Sequence, residues 1–234
     1  MWLWNENEAP KAVDTLERIK AFQRLVSLAV SPDGGTVAAG DDEGNVHIWD
    51  TQTGRLLRDR ELPGNGYPAS AVAFDPSGRQ LARTTREGIW LTDMITRTER
   101  VLPHPNATHV DFDASGTQLV SVADGGTVRV WRTDGTPAQE LVAHGSRLAR
   151  ASFSPDGALV AAGSADGLVE VWDVRSGTTL ALTRQHGDSV NDVLFAGQQL
   201  LTASDDTTVT ASSCESCADP EKAIDAAEDW LTTQ

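Results

Sequence analysis

Cysteine is nearly absent from the 234 residues: only Cys214 and Cys217 occur, close together. Such a pair supplies no disulfide framework, so nothing demands an oxidising compartment, and the expected location is cytoplasmic. Long apolar runs are missing too. No stretch approaches the roughly 18 uninterrupted apolar residues of a membrane span. Met1-Trp2-Leu3-Trp4-Asn5 lacks the charged and apolar regions of a secretory signal. Positive charge is scarce: 19 Lys and Arg stand against 34 Asp and Glu, a formal net charge of −15. That balance repels phosphate backbones and anionic membranes at long range, so neither nucleic acid nor membrane is expected as a partner. No Gly-x-x-x-x-Gly-Lys-Ser/Thr loop occurs anywhere, which removes that route to nucleotide hydrolysis. No cofactor is expected.

What is present is repetition. Leu148–Asp173 divides into an apolar run, a Ser154-Pro155-Asp156-Gly157 turn, a second run (Ala158–Ala162), an Asp166-Gly167 turn, and a third run ending in Val171-Trp172-Asp173. Short β-favouring runs joined by Pro, Asp and Gly predict a three-strand antiparallel meander. Counterparts begin at Leu25, Ala69, Ala107 and Ser189, and their third strands end at Trp49, Thr92, Trp131 and Ser212. The spacing of about 40 residues is that of four-stranded propeller blades. The polar segments Arg55–Arg60, Thr98–Leu102, Ala138–Val142 and Thr179–Thr183 are placed as outer fourth strands, whose free edge tolerates charge. The expected fold class is therefore all-β: a β-propeller of four-stranded antiparallel blades, about five of them present. Repeats lie near 25–60, 69–102, 107–142, 148–183 and 189–212, after a partial blade at 1–20. Within the third strand of the middle repeat, Val128 and Val130 share one face and Trp131 the other, so Trp131 should lie between blades.

His144-Gly145, Phe153-Ser154-Pro155-Asp156-Gly157, Asp166-Gly167 and Val171-Trp172-Asp173, in that order and at that period, resemble the WD-repeat propeller family over roughly residues 1–212. The resemblance implies a buried hydrogen-bond network in each blade. Its members are a His before the first strand, a Ser or Thr on the second, an Asp in the next turn, and the Trp. Carried over position by position, it assigns His144, Asp166 and Trp172 in one unit, with Ala162 in the hydroxyl slot. It assigns His186, Thr202 and Asp206 in the last unit, with Ser212 in place of Trp. In the first unit it assigns Glu43 and Trp49, with Ala39 in the hydroxyl slot and no His. The second unit has Glu87, with Thr92 at the Trp position and Trp90 two residues early. In the third unit Trp131 is in place, while His104 and Asp124 are each displaced by one. No unit carries the full set, so packing between blades is expected to lean on apolar contact.

The two ends read differently from the middle. Trp2–Asn5 matches the end of a third strand, and Lys11–Ile19 then falls at an outer-strand position. Two arrangements stay open: a five-blade ring closed by Lys11–Ile19 on the last blade, or an incomplete propeller whose remaining blades lie elsewhere. Beyond Ser212, Cys-x-x-Cys leads into Asp219-Pro220-Glu221-Lys222, a helix start, with Ile224, Ala227, Trp230 and Leu231 at helical spacing. Residues 214–234 are placed as a helical cap. The cap resembles the C-terminus of bacterial signalling proteins of the STAND type, in which WD repeats follow a nucleotide-hydrolysing domain. That resemblance implies an upstream NTPase domain, or the remaining blades, as a partner within one longer protein.

Catalysis requires a nucleophile, base or metal set converging in one place. His144 and His186 read as structural, and His47 as packed beside Trp49 or lying at a blade face. Cys214 and Cys217 are half a zinc site with no second pair nearby, so no metal is assigned. The leading expectation is a non-catalytic protein-interaction scaffold or sensor, and the alternative is an enzyme using the central channel. The face bearing the lead-in loops and Asp turns offers Asp41, Asp42, Arg147, Arg150 and Asp188 as its interaction candidates.

Overall fold

The computed structural model describes Leu16 and residues 24–213. Apart from Leu16, the strand readings at Trp2–Asn5 and Lys11–Ile19 lie outside the described residues, as do Cys214, Cys217 and the helical cap. The described chain forms five antiparallel sheets in sequence order. The first holds β1 (Leu25–Val30), β2 (Thr36–Asp41) and β3 (Val46–Asp50). The second holds β4 (Val72–Phe74), β5 (Gln80–Thr84), β6 (Gly88–Asp93) and β7 (Glu99–Pro103). The third holds β8 (Ala107–Phe112), β9 (Gln118–Ala123), β10 (Val128–Arg132) and β11 (Pro137–Leu141). The fourth holds β12 (Leu148–Phe153), β13 (Leu159–Ser164), β14 (Leu168–Asp173) and β15 (Thr179–Arg184). The fifth holds β16 (Val190–Ala196), β17 (Gln199–Ser204) and β18 (Val209–Ser213).

The first hairpin of each of the first four sheets closes by one chemical device with interchangeable parts. In the Ser-Pro-Asp-Gly turns, Ser31 and Ser154 donate to Asp33 and Asp156 at 2.5 Å and accept from the N–H of Thr36 and Leu159 at 2.9 Å. In the second and third sheets the order is reversed. Asp75 and Asp113 accept from Ser77 and Ser115, and from the N–H of Gln80 and Gln118 at 2.6 and 2.8 Å. A short side chain returning to its own backbone stabilises the turn in either order, which is why both sequences make the same hairpin.

One outer strand departs from expectation. Arg55–Arg60 does not form a fourth strand: single bridges join Trp49 to Leu56 and Val46 to Leu62, and Arg58–Arg60 is a turn of 3-10 helix. Three steps along β3 oppose six on the outer segment, so the surplus residues loop out as the 3-10 turn while Leu56 and Leu62 stay buried. Charged Arg58, Asp59 and Arg60 occupy the loop, where water solvates them.

Apolar layers form between successive sheets. Ala38 and Ile48 meet Val72 and Leu81; Ala82 and Leu91 meet Val110 and Trp131. Val128 and Val130 meet Ala151 and Trp172, and Ala161 and Val171 meet Val193 and Phe195. Trp131 and Trp172 thus lie between blades, each facing the preceding sheet. The first strands of consecutive sheets neighbour one another, β1 with β4, β4 with β8, β8 with β12 and β12 with β16. Radiating meanders with adjoining first strands are the architecture of a β-propeller. Leu28 and Val30 on β1, and Leu194 and Val209 at the far end, remain exposed. No helix among the described residues is long and apolar enough to cross a membrane.

Candidate functional site: an interaction face on buried polar supports

On one face of the arc, each lead-in loop is tied to the hairpin turn of the preceding sheet or of its own. Asn106 N–H donates to the Arg86 carbonyl and Asp124 N–H to the Asn106 carbonyl, at 3.0 and 3.1 Å. Ala165 N–H donates to the Arg147 carbonyl at 2.8 Å, and Asp205 N–H to the Ser189 carbonyl at 2.9 Å. Gly167, at φ +83°, lies so close to the His186 carbonyl that a Cβ there would collide with it. Glycine is required at that position.

Beneath the loops lies a recurrent position formed by two residues directly opposite each other on the second and third strands, the second-strand member buried in every sheet. The pairs are Ala39 with His47, Arg83 with Trp90, Ser121 with Arg129, Ala162 with Glu170, and Thr202 with Thr210. Each sheet satisfies this position differently.

In the fifth sheet, His186 Nε2 lies 2.7 Å from Thr202 Oγ1 and its Nδ1 lies 3.0 Å from Asp206, which also accepts from Gly187 N–H. The Thr208 hydroxyl above all, then the Gly187 and Thr208 N–H groups and His186, hold the Asp206 carboxyl well below the usual range. Thr210, 2.7 Å from Thr202, gives the Thr202 hydroxyl a partner in the absence of a Trp at Ser212. In the third sheet the one-residue displacement of His104 makes no difference. Its Nδ1 lies 2.6 Å from Ser121 Oγ, which also accepts from Trp131 Nε1 at 2.9 Å, and Thr127 stands where a carboxylate was expected. The loop absorbs the shift at Asn106, whose φ of 58° is left-handed. The displaced Asp124 points outward and pairs with Arg147 at 3.2 Å.

Three assignments are corrected. In the fourth sheet His144, Asp166 and Trp172 do not join in one network. His144 is half exposed, Asp166 accepts from Ser164, and Trp172 Nε1 donates to the Val142 carbonyl at 3.0 Å. Ala162 offers no hydroxyl, so the indole turns to backbone. Glu170, completely buried, accepts from the N–H of His144 and Gly145 at 2.8 and 2.6 Å instead. In the first sheet Glu43 is exposed, and the carboxylate comes from Asp41, a residue read from sequence as part of the exposed interaction surface. Asp41 has 0% exposure. It accepts from Asn45 N–H and side chain at 2.8 Å each and from Glu43 N–H at 2.9 Å, and it meets His47 Nε2 at 2.9 Å. Burial alone would raise its pKa, but the Asn45 amide, His47 and the N–H donors outweigh that and lower it. Asp41 ends its strand two residues before Glu43, so its short side chain turns inward to the N–H groups of the turn. His47 is packed beside Trp49, as the sequence offered, and bridges Asp41 and Glu61 at 2.9 and 2.7 Å.

Sequence reading passed over Arg83, Glu170, Thr210 and Ser121. Arg83 is buried over the Trp90 ring at 5.0 Å and paired with Glu99 at 3.3 Å. For Glu170 the available signal was a polar residue two before Trp172 in a strand otherwise apolar; Arg83 and Ser121, on second strands, carried no such signal.

Of the remaining surface candidates, Asp42 pairs with Arg24 at 4.0 Å and Arg147 with Asp124. Arg150 on β12 reaches Asp192 on β16 at 3.9 Å. Asp188 is exposed and accepts from Ser189 N–H at 2.8 Å. Beside Arg150, burial pushes the Asp111 carboxyl up to about 6 and the His109 imidazole down to about 4, with the Arg150 cation adding to the fall at His109.

Five radiating meanders, three of which end their third strand in Trp, define a propeller of repeated units. The family profile described as WD domain, G-beta repeat, matches residues 17–50, 97–132 and 135–173, so the chain carries WD repeats over those residues. The unmatched sheets are those ending at Thr92 and Ser212. The chain is 29% identical over 163 residues to Autophagy-related protein 16 of Arabidopsis thaliana, covering 68% of this chain and 24% of that protein. It is 27% identical over 165 residues to Target of rapamycin complex subunit LST8 of Mus musculus, covering 64% and 50%. It is 26% identical over 196 residues to WD repeat-containing protein 82 of Drosophila melanogaster, covering 78% and 61%. The chain therefore spans only part of the length of each relative.

Proposed function

We propose that this chain is a non-catalytic protein-interaction scaffold, read by its partner on the face of lead-in loops and Asp turns. The supporting observation is that this face's charged loops stand on the buried polar groups Asp41, His104, Glu170 and His186, which fix their geometry. Preorganised loops lose less entropy on binding. The mouse relative is by its name the subunit of a complex, which accords with such a role. A finer reading belongs to the same proposal: a sensor propeller in the C-terminal part of a bacterial signalling protein, acting in the cytoplasm with an upstream NTPase domain or further blades as partners. It rests on the Cys-x-x-Cys and helical pattern after Ser212; the three relatives named above are eukaryotic and lend it no support.

The test is co-purification from the source cell with mass-spectrometric quantification, comparing wild type, an Arg147→Glu/Asp188→Lys double variant and an Arg175→Glu control on the opposite face. A protein retained by wild type and control but lost from the double variant supports the reading. Equal retention by all three, or a turnover that His47→Ala abolishes without unfolding the chain, overturns it.

A further inference from the structure

Between the second and third sheets, on the same face, lies a pocket of about 330 Å³ whose walls include Tyr67, Ser70, Arg86, Asn106, Thr108 and Asp124. Arg86 is its cation. The guanidinium lies 4.8 Å from the centroid of the Tyr67 ring and donates to the Tyr67 hydroxyl, two contacts that hold it at the pocket wall. Arg24, Arg79, Arg83, Arg129, Arg147 and Arg150 each have a carboxylate within 4.0 Å. Arg86 has none among the described residues; other arginines such as Arg175 and Arg184 also lack one, but Arg86 is the arginine that lines this pocket. The Ser70 hydroxyl and the Asn106 amide are likewise not engaged by the described residues. Asp124, at the far wall, pairs with Arg147 at 3.2 Å in an exposed ion pair that reduces its charge without cancelling it.

We infer that this pocket binds the carboxylate side chain of an acidic peptide segment on a partner protein. The inference rests on the reading of this face as the interaction face and names what the face recognises. One guanidinium with two neutral donors matches a single negative charge and offers the forked geometry a carboxylate takes. A phosphate dianion is disfavoured, because the second charge would face Asp124 and the acidic whole with no second cation among the described residues that line the pocket. The volume is at the lower end of small-molecule pockets, enough for one side chain and its flanking backbone.

The experiment titrates the full chain with the acetylated, amidated peptide Leu-Glu-Glu-Leu, following backbone amide shifts of residues 67–70, 86 and 106–108 by NMR. The Leu-Gln-Gln-Leu peptide and a version with phosphoserine in place of the first Glu run beside it. The Glu peptide is expected to shift these amides, and the Gln peptide to bind at least about tenfold more weakly. Arg86→Ala should lose about the same factor with the thermal midpoint unchanged, Arg86→Lys should recover part of it, and Asp124→Asn, which frees Arg147, should tighten binding. No shift with the Glu peptide, equal binding of the Gln peptide, unchanged binding by Arg86→Ala, or tighter binding of the phosphoserine peptide overturns the inference. If the Arg147→Glu/Asp188→Lys variant loses its partner while Arg86→Ala keeps peptide affinity unchanged, the interaction face stands and this pocket falls.

Discussion

His104 shows how one buried residue carries both the local network and a pH dependence. Burial, reinforced by the Arg129 cation, lowers its pKa to about 4 from 6.5. The unfolded imidazole gains a proton near pH 6.5, whereas the folded one does so only near 4. Its contribution is therefore complete above pH 6.5 and lost as pH falls toward 4, by on the order of 3 kcal/mol. Asp111 has the opposite sign. Burial raises its pKa to about 6, so the folded chain takes up a proton before the unfolded one and gains stability as pH falls from 6 to 4. Urea unfolding across pH 4–7 checks both. His104→Asn should be less stable than wild type at pH 7 and lose less on acidification, and Asp111→Asn should stabilise at pH 7 but not below about pH 4. A wild-type slope retained by His104→Asn would contradict the assignment. His104 was visible in the sequence only as a displaced histidine, because the left-handed Asn106 that restores its position is a property of the folded loop.

At the level of the element, the third strand decides how each sheet is completed. His47, Trp90, Arg129, Glu170 and Thr210 occupy equivalent register positions, each opposite a buried second-strand residue, with different chemistry. Glu170 is the most demanding case, since its carboxylate is fully buried and accepts from two lead-in N–H groups. Glu170→Ala should cost about 3 kcal/mol, because both N–H groups lose a charged acceptor, and Glu170→Gln clearly less, because one acceptor oxygen remains. Chemical denaturation of the two variants measures the difference; equal losses would show that the acceptor oxygen kept by Gln contributes nothing to holding the two N–H groups. The strand itself was legible from its alternation and terminal Trp. The role of Glu170 was not, because alternation shows that a residue shares a face but not what that face meets. Likewise the turn Asp41-Asp42-Glu43-Gly44 contains three carboxylates, and only the direction of the strand end makes Asp41 the inward one.

For the whole molecule, stability lies in the layers shared by neighbouring sheets. Phe153, between the third and fourth sheets, is 6% exposed, whereas Val209 on the last strand is 74% exposed. Phe153→Ala should cost about 3–5 kcal/mol, while Val209→Thr should stay within about 0.5 kcal/mol. Comparable losses in thermal or urea unfolding would mean that the last sheet is covered in solution. The repeat, the hairpin turns and the strand order could all be read from the sequence, because period, Pro-Asp-Gly chemistry and alternation act over a few residues. The same local rules failed at Arg55–Arg60, where the length of an outer segment is judged against the strand opposite. The sequence by itself thus determined the unit and its repetition. Only the tertiary structure decided which carboxylate turns inward, which histidines are buried and which arginine lines a pocket, because each outcome depends on atoms contributed by a neighbouring strand or sheet.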